Sequence, residues 1–200
     1  MPQHPRHHMI VSQAGHRVRG DTHSRAGLDG SFKYAQIMQR RMFQDFLRAV
    51  FRWELIPHRL RPLILRKAGV TVGNQCLFMS GIRISRSAPI RIGSNVFVNY
   101  DSYFDAQAEI NVGSDCRIAD NVRIVTSTHN LGTEERRAAD VKGLPITIGS
   151  GTWIGSGATI LPGVTIGRGC VVAAGSVVTK ECKPNNLYAG VPAKWIKSLP

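Results

Sequence analysis

Residues 146–180 read ITIGSGTWIGSGATILPGVTIGRGCVVAAGSVVTK, and a large apolar residue recurs in this stretch at every sixth position. The spacing also runs upstream as far as residue 72, and each of these positions is Val, Ile or Phe. They are Val72, Phe78, Ile84, Ile92, Val98, Phe104, Val112, Ile118, Ile124, Ile148, Ile154, Ile160, Ile166, Val172 and Val178. A period of six fits neither a helix nor an ordinary strand, but it fits a three-sided coil with one six-residue unit per side. The sequence therefore predicts an all-β fold, a parallel β-helix over residues 71–183.

A second inward position in each six-residue unit is mostly small. Its members are Ala88, Ser102, Ala108, Thr128, Thr152, Ala158 and Ser176, together with all four cysteines: Cys76, Cys116, Cys170 and Cys182. The cysteines form no CxxC pair and lie far apart, which argues against a zinc site or a redox motif. We expect them to be small buried fillers of the coil.

The repeat is interrupted in three places. Two extra residues follow the first turn (Ile90 and Arg91), and two more follow the second (Ile110 and Asn111). Residues 130–147 then interrupt the coil, and we predict a protruding loop there, because a long insertion in a compact repeat is often functional. Residues 184–200 are predicted to be a C-terminal tail.

The segment before the coil divides into two parts. Residues 1–30 are poor in apolar side chains and hold five of the seven histidines, so we predict a disordered basic tail. Residues 31–70 are predicted to be a helical cap over the open end of the coil, with Pro57 ending one helix and Pro62 and Gly69 bounding a second. One face of the first helix gathers Tyr34, Ile37, Met38, Met42, Phe46, Val50 and Trp53. An alternative interpretation is a basic amphipathic surface that associates weakly with a membrane.

The net charge of +13 is uneven, because residues 1–71 carry 13 Lys and Arg against 4 Asp and Glu. That segment has no zinc-finger spacing and no recognition helix, so no specific binding of nucleic acid is expected. The chain has no run of eighteen apolar residues, and its first thirty residues lack the apolar core of a signal peptide. These features predict a cytoplasmic protein.

His129 is the single histidine of the predicted coil, and it stands at the edge of the protruding loop. Most lone surface histidines have no chemical role. This one lies where regular coil gives way to a loop, which is where concave sites form. An imidazole there can take a proton from a hydroxyl near neutral pH.

Several stretches resemble the hexapeptide-repeat acyltransferases, in particular the maltose, galactoside and nodulation-factor O-acetyltransferases. They are residues 146–180, YAGVPAKWIK at 188–197, VFVNYDSYFD at 96–105 and TSTHN at 126–130. Residues 1–70 look more like the acyltransferases that modify cell-surface polysaccharides. The resemblance implies a left-handed coil, a homotrimer with active sites between subunits, and acetyl-coenzyme A as co-substrate, with no permanently bound cofactor and no metal.

The resemblance also implies roles for individual residues. His129 matches the catalytic base, and Asn99 and Asp105 match positions that contact the acceptor. The positions that match the coenzyme site are Trp153, Ser156, Ala174, Thr179, Lys180, Lys194 and Lys197. Among them, the backbone N–H of Ser156 matches the oxyanion donor. We therefore expect acetyl transfer to a saccharide hydroxyl, on a polysaccharide or glycolipid precursor.

Other functions stay open at this point. The acceptor could instead be a serine, an amino sugar or an antibiotic hydroxyl, and the coil could be a non-catalytic scaffold. A carbonic anhydrase of this fold needs three histidines around zinc, whereas the coil has one. An ice-binding coil needs stacked threonines, and here Thr126 and Thr128 form an isolated pair.

Overall fold

The structure, a computed structural model, describes residues 38–39 and 42–200. The predicted disordered tail, Tyr34 and Ile37 therefore lie outside the described residues. The chain divides into two units, residues 1–39 and 40–200. In the first unit the described residues, Met38 and Gln39, are helical and exposed. The rest of this description concerns the second unit.

The coil has three flat faces, each a sheet of short strands stacked in parallel, except that the last strand of face 2 is antiparallel. Face 1 comprises β1 (Thr71–Val72), β4 (Ile90–Ile92), β7 (Ile110–Val112), β12 (Ile146–Ile148) and β15 (Thr165–Ile166). Face 2 comprises β2 (Leu77–Phe78), β5 (Phe97–Val98), β8 (Arg117–Ile118), β13 (Trp153–Ile154), β16 (Val171–Val172), β18 (Asn186–Ala189) and β19 (Lys194–Ser198). Face 3 comprises β3 (Arg83–Arg86), β6 (Tyr103–Ala106), β9 (Arg123–Val125), β14 (Thr159–Ile160) and β17 (Val177–Val178). The predicted parallel β-helix is confirmed.

The six-residue repeat forms the core as expected. Fourteen of its fifteen large apolar residues are buried, and Ile84 is half-buried against them. Equivalent residues of successive turns stack in register, as in Ile118, Ile154 and Val172 on face 2. Three of the four cysteines are buried, while Cys76, in the first turn, is half-buried. Among the small residues, Ser102, Thr152, Ala158 and Ser176 are buried, whereas Ala88, Ala108 and Thr128 are only half-buried. Beside Thr128 the buried threonine is Thr126, whose hydroxyl donates to the Asp105 carbonyl at 2.7 Å.

The extra residues of the first two turns are not insertions outside the coil. Ile90 and Ile110 begin the longer strands β4 and β7 and pair in register with each other. Ile146 continues the same stack, and all three side chains are buried. Face 1 is thus widened by one buried isoleucine per turn, which adds apolar burial to the core.

The predicted loop at 130–147 is a β-hairpin. Its strands are β10 (Ser127–Leu131) and β11 (Ala138–Gly143), which pair antiparallel, and the coil resumes at Ile146 rather than after residue 147. The prediction gave a protruding segment without strands of its own, because it counted only the six-residue repeat. The hairpin follows face 3, at the corner between faces 3 and 1.

The C-terminal segment is also more ordered than predicted. Strand β18 adds to face 2 beside β16, so the coil extends beyond residue 183. Strand β19 then folds back antiparallel on β18. Residues 184–200 therefore form the last edge of face 2 and not a loose tail.

The N-terminal cap consists of helix α1 (residues 42–51), a short 3-10 turn (His58–Leu60) and helix α2 (Arg61–Lys67). Phe51 and Leu65 are fully buried, and the Phe51 ring packs edge-on against Phe78 of the coil at 6.2 Å. The described part of the cap therefore packs against the first turn of the coil. Pro62 lies in the first turn of α2, and Gly69, with a φ of 86°, follows its C-terminus.

The predicted packing face of α1 was wrong in two respects. The helix ends at Phe51, six residues before Pro57. Met42, Phe46 and Trp53 are 67%, 62% and 61% exposed, and the residue that enters the core is Phe51. Arg61 explains this ending, because its buried guanidinium donates hydrogen bonds to the carbonyls of Phe51 and of Trp53 and so caps the helix.

Candidate active site

A shallow cleft of about 480 Å³ lies on face 2 and its corner with face 3. Its walls are apolar, and Trp153, Ser156 and Ala174 are among the residues that form them. The structure thus brings together three of the residues expected to contact the coenzyme. The sequence prediction missed Ala119, Gly155, Val171, Val172, Ala173 and Leu187, which complete the lining. The six-residue count could have identified them, because it places equivalent positions of successive turns next to each other on one face or corner of the coil.

Ser156 is held at the mouth of this cleft by a carboxylate. Its hydroxyl donates to Asp120 at 2.8 Å. Hydrogen bonds from Ser156 and then from Asn121 lower the pKa of the Asp120 carboxyl from its ordinary value, so Asp120 is ionised at neutral pH. Asp120 stacks directly beneath Ser156, since Ile118 and Ile154 are paired in register. It therefore fixes the corner that carries the expected oxyanion donor.

Equivalent backbone N–H groups differ in their hydrogen-bond partners between two corners of the coil. At the corner between faces 1 and 2, the N–H groups of Asn74, Ser94 and Ser114 each donate to a serine hydroxyl of the next turn. At the corner between faces 2 and 3, the N–H groups of Ser156 and Ala174 donate to no acceptor among the described residues. These two outward donors are spaced by one turn of the coil, about 4.8 Å. They are available to the polar groups of a ligand in the cleft.

Lysines lie beside the last strands of face 2. Lys197 pairs in register with Leu187 of the cleft, and Lys194 pairs with Ala189. Both side chains are exposed. The structure therefore places two cations along the edge of the cleft, where they can attract phosphate groups.

His129 lies in β10 of the hairpin, and its side chain is exposed. Its Nδ1 is 2.8 Å from the carbonyl oxygen of Ala139 on the neighbouring strand β11. A carbonyl only accepts hydrogen bonds, so Nδ1 carries the proton and Nε2 keeps a free lone pair. Sequence reasoning could not find this partner, because it is a backbone atom positioned by the hairpin.

The two acceptor-contacting candidates lie on different parts of the coil. Asp105 is in β6 on face 3 and accepts hydrogen bonds from the hydroxyl and the backbone N–H of Ser127, two residues before His129. Asn99 lies at the corner between faces 2 and 3, and its side chain accepts from the N–H of Tyr100 at 3.0 Å. Asp105 is therefore tied to the base of the hairpin, whereas Asn99 stands two turns from Gly155 on the cleft side.

Thr179 and Lys180 are not part of the cleft. They follow β17 at the end of face 3 and are exposed at the corner between faces 3 and 1. Within one chain, the expected site is thus split into two halves. His129, Asp105, Thr179 and Lys180 lie at one edge of face 3, and Trp153, Ser156 and Ala174 lie at its other edge or beyond.

The comparisons with known proteins agree with this fold. Residues 145–180 match the family model described as bacterial transferase hexapeptide (six repeats). The chain is 34% identical to the galactoside O-acetyltransferase of Escherichia coli strain K12, over 70% of its own length and 68% of that enzyme's. The chain belongs to the hexapeptide-repeat acetyltransferases.

Solved structures of this family superpose on most of the chain. A maltose O-acetyltransferase from Clostridium difficile 630 has a TM-score of 0.60 at 28% identity, covering 82% of this chain and 89% of that one. A galactoside acetyltransferase in complex with coenzyme A has a TM-score of 0.58 at 31% identity, covering 81% and 82%. The expected family, the left-handed β-helix fold, the enzyme class and the co-substrate acetyl-coenzyme A are thereby confirmed.

The described part of the chain, residues 38–39 and 42–200, contains neither a metal-binding cluster nor a membrane-spanning helix. No group of three or more His, Cys, Asp or Glu is placed there to hold a metal ion. No helix in the same residues is long and apolar enough to cross a bilayer.

Proposed function

We propose that the protein transfers an acetyl group from acetyl-coenzyme A to a saccharide hydroxyl, with His129 as the general base. The observation that carries this proposal is the contact between Nδ1 of His129 and the Ala139 carbonyl. This contact holds the imidazole in one tautomer and leaves Nε2 as a proton acceptor at the exposed end of the ring. A saccharide is favoured because related proteins include a galactoside and a maltose O-acetyltransferase.

The reaction then follows from ordinary acyl-transfer chemistry. Nε2 of His129 takes the hydroxyl proton while the acceptor oxygen attacks the thioester carbon. The negative charge that forms on the carbonyl oxygen is accepted by the backbone N–H of Ser156, and one such donor contributes roughly 3–4 kcal/mol to comparable reactions. The intermediate expels the coenzyme thiolate, which receives the proton from the imidazolium. An O-acetyl ester and the free coenzyme thiol are the products.

The donor is proposed to lie in the cleft of face 2. The apolar walls around Trp153 suit the long pantetheine chain, and the free N–H of Ala174 suits one of its amide carbonyls. Lys194 and Lys197 are proposed to face the coenzyme phosphates. Thr179 and Lys180, which lie elsewhere on this chain, are proposed to contact the coenzyme held in a neighbouring subunit's cleft.

A homotrimer is proposed because one chain cannot complete the site by itself. Face 3 separates His129 from Ser156, so the base must act on a donor bound to another subunit. Large apolar side chains also remain exposed on the cap, including Leu55, which is 89% exposed, and Trp53. A second copy that covers such residues would gain apolar burial. Weak attraction of the basic N-terminal region to anionic membranes, and a cytoplasmic location, remain predictions from the sequence.

The base is tested by measuring thiol release from acetyl-coenzyme A with a panel of acceptors. The panel includes saccharides, a serine peptide, an amino sugar and hydroxylated antibiotics. His129→Ala should lower kcat on the best acceptor by about 10²- to 10⁴-fold while leaving coenzyme binding unchanged. His58→Ala, a substitution of another exposed histidine, is the matched control and should retain full turnover. Wild-type turnover in His129→Ala would show that another group is the base.

The split site is tested by mixing two inactive variants. His129→Ala lacks the base, and Ala174→Tyr fills the exposed mouth of the cleft. Mixed oligomers contain interfaces with an intact base from one subunit and an intact cleft from the other, so activity should return after co-expression. Continued inactivity in demonstrated mixed oligomers would place the whole site in one chain. Light scattering during size-exclusion chromatography measures the subunit number directly.

A further inference from the structure

A polar groove separates helix α1 from face 3 and does not enter the acyl-transfer scheme above. Its main cavity has a volume of about 670 Å³ and is lined by Arg52, Arg83, Asp101 and Asn121, among others. An adjoining depression of about 270 Å³ shares Arg52 and Arg83 and adds Arg48 and Tyr103. Both openings lie beside the strands that lead to Asp105.

The charges that face this groove do not cancel. Arg48 is paired with Asp45. Neither the Arg52 nor the Arg83 guanidinium reaches a carboxylate in the part of the chain that the structure describes, and Asp101 is the one acidic side chain on the main cavity wall. Two cations against one anion leave the cavity with a net positive charge.

Arg83 is held in place by an aromatic ring. Its guanidinium lies over the ring of Tyr103, 5.2 Å from the centroid. Stacking of this kind leaves the N–H groups at the edge of the guanidinium plane free to donate. Arg123 follows in the same register row of face 3, since Arg83, Tyr103 and Arg123 are paired across β3, β6 and β9. The row therefore places an arginine on each side of Tyr103 in the backbone register, with the Arg83 guanidinium over the ring.

The position of this row relates it to the proposed acceptor site. Tyr103 and Asp105 are two residues apart on β6, so their side chains leave the same side of the strand about 7 Å apart. Asp105 in turn contacts Ser127 at the base of the hairpin that carries His129. An acceptor that contacts Asp105 and presents its hydroxyl to His129 would extend its other end towards Arg83 and Arg52.

We infer that the acceptor is an anionic saccharide, whose phosphate or carboxylate group is bound by Arg52 and Arg83 in the groove between α1 and face 3. Arginine is suited to this role because its planar fork donates two parallel hydrogen bonds to either group. Tyr103 would contact the adjoining sugar ring with its exposed edge. This inference rests on the proposed function, because it uses the hydroxyl position set by His129.

The test compares matched acceptors that differ only in charge. Each saccharide is offered as the neutral sugar, as its phosphate ester and as its uronic acid, and kcat/KM is measured from thiol release. The anionic forms should be preferred over the neutral form by tenfold or more, because hydrogen bonds to charged groups are the stronger ones. Preference for the phosphate or for the uronate identifies which of the two groups is bound.

Substitution of the two arginines then tests whether they cause the preference for anionic acceptors. Arg52→Gln and Arg83→Gln should each lower kcat/KM for the anionic acceptor about tenfold, mainly through KM, and should leave the neutral acceptor unchanged. Arg168→Gln, which removes an exposed arginine from the opposite side of the coil, is the control and should change neither value. Arg83→Lys should retain part of the preference that Arg83→Gln loses, since lysine keeps the charge but lacks the planar fork.

The outcomes distinguish this inference from the function on which it rests. If neutral and anionic saccharides react equally and both arginine variants behave like the control, the anionic acceptor is wrong and saccharide acetylation stands. If no saccharide of any charge is acetylated while another acceptor is, the proposed function itself fails.

Discussion

The contact that fixes the cap on the coil is the buried Arg61, and its removal should be costly. The residue is 2% exposed, and its guanidinium donates to four carbonyl oxygens, those of Phe51, Trp53, Ile56 and Met79. Desolvation by burial lowers the pKa of this guanidinium from its ordinary value. The group remains charged, because arginine does not lose its proton in proteins.

The expected loss of stability follows from the carbonyl oxygens that Arg61→Met would leave without a donor. Methionine fills a similar volume without any donor, so the loss concerns hydrogen bonds rather than packing. Each hydrogen bond from a charged group contributes about 1.5–3 kcal/mol, and two of the four are long. Water can reach some of the carbonyls after the change. We therefore expect a loss of about 3–4 kcal/mol in the free energy of unfolding.

The assay is urea unfolding followed by circular dichroism, with Arg59→Met as the control. Arg59 is the exposed neighbour in the 3-10 turn, so its loss should cost less than about 0.5 kcal/mol. Because Arg61 ends α1, its substitution should also disturb the groove lined by Arg52. The reasoning is refuted if the free energy of unfolding of Arg61→Met lies within about 1 kcal/mol of the wild-type value, since the four carbonyls could not then have depended on the side chain.

Three further predictions concern the coil. A Cβ at position 155 would lie 2.5 Å from the backbone nitrogen of Ala174, so Gly155→Ala should displace the corner that carries Ser156 and lower kcat at least about tenfold. The control Gly157→Ala meets no atom within 4 Å but has a φ of 68°, so it should mainly lower the free energy of unfolding by about 1–2 kcal/mol. Equal losses of kcat in the two variants would contradict this prediction. Trp153→Ala should raise the KM for acetyl-coenzyme A severalfold with little change in kcat, as measured by thiol release at varied coenzyme, because it removes part of the cleft wall. Burial raises the pKa of the Cys182 thiol to about 12. This thiol therefore contributes to the stability of the folded state below the ordinary thiol pKa, and the contribution is lost as the pH rises through about 12. The melting temperature should accordingly fall more steeply with alkaline pH in wild type than in Cys182→Ala.

The core was predictable because a six-residue period of large apolar residues is typical of one fold, the β-helix. Residues such as Ile118, Ile154 and Val172 recur at a spacing that helices and ordinary strands do not produce, and register follows from the same count. The hairpin was not predictable by that means, since its strands follow a period of two and its ends overlap the coil. Arg61 was missed for a different reason, because nothing in the local sequence distinguishes an arginine that caps a helix from one that is solvated.

The part of the candidate site that could be predicted is the part assigned from residue types in the sequence. Trp153, Ser156 and Ala174 were expected in one cleft and lie in one. Two contacts on which the proposed chemistry depends are hidden from a sequence reading, because one involves the Ala139 carbonyl and the other depends on Asp120 stacking below Ser156. Both arise from the alignment of neighbouring strands, which the residue types alone do not reveal.

The separation of His129 from the cleft connects assembly to catalysis. His129 lies on the hairpin at one edge of face 3 and the cleft lies beyond its other edge, so the width of face 3 separates the two halves of the proposed site. A single chain could bind acetyl-coenzyme A in its cleft, yet the bound thioester would lack a base and would be protected from reaction. In the proposed oligomer, the interface through which a neighbouring subunit supplies His129 would also close the cleft against water. Because dilution separates subunits but leaves each cleft intact, coenzyme binding per chain should outlast catalysis as the oligomer dissociates.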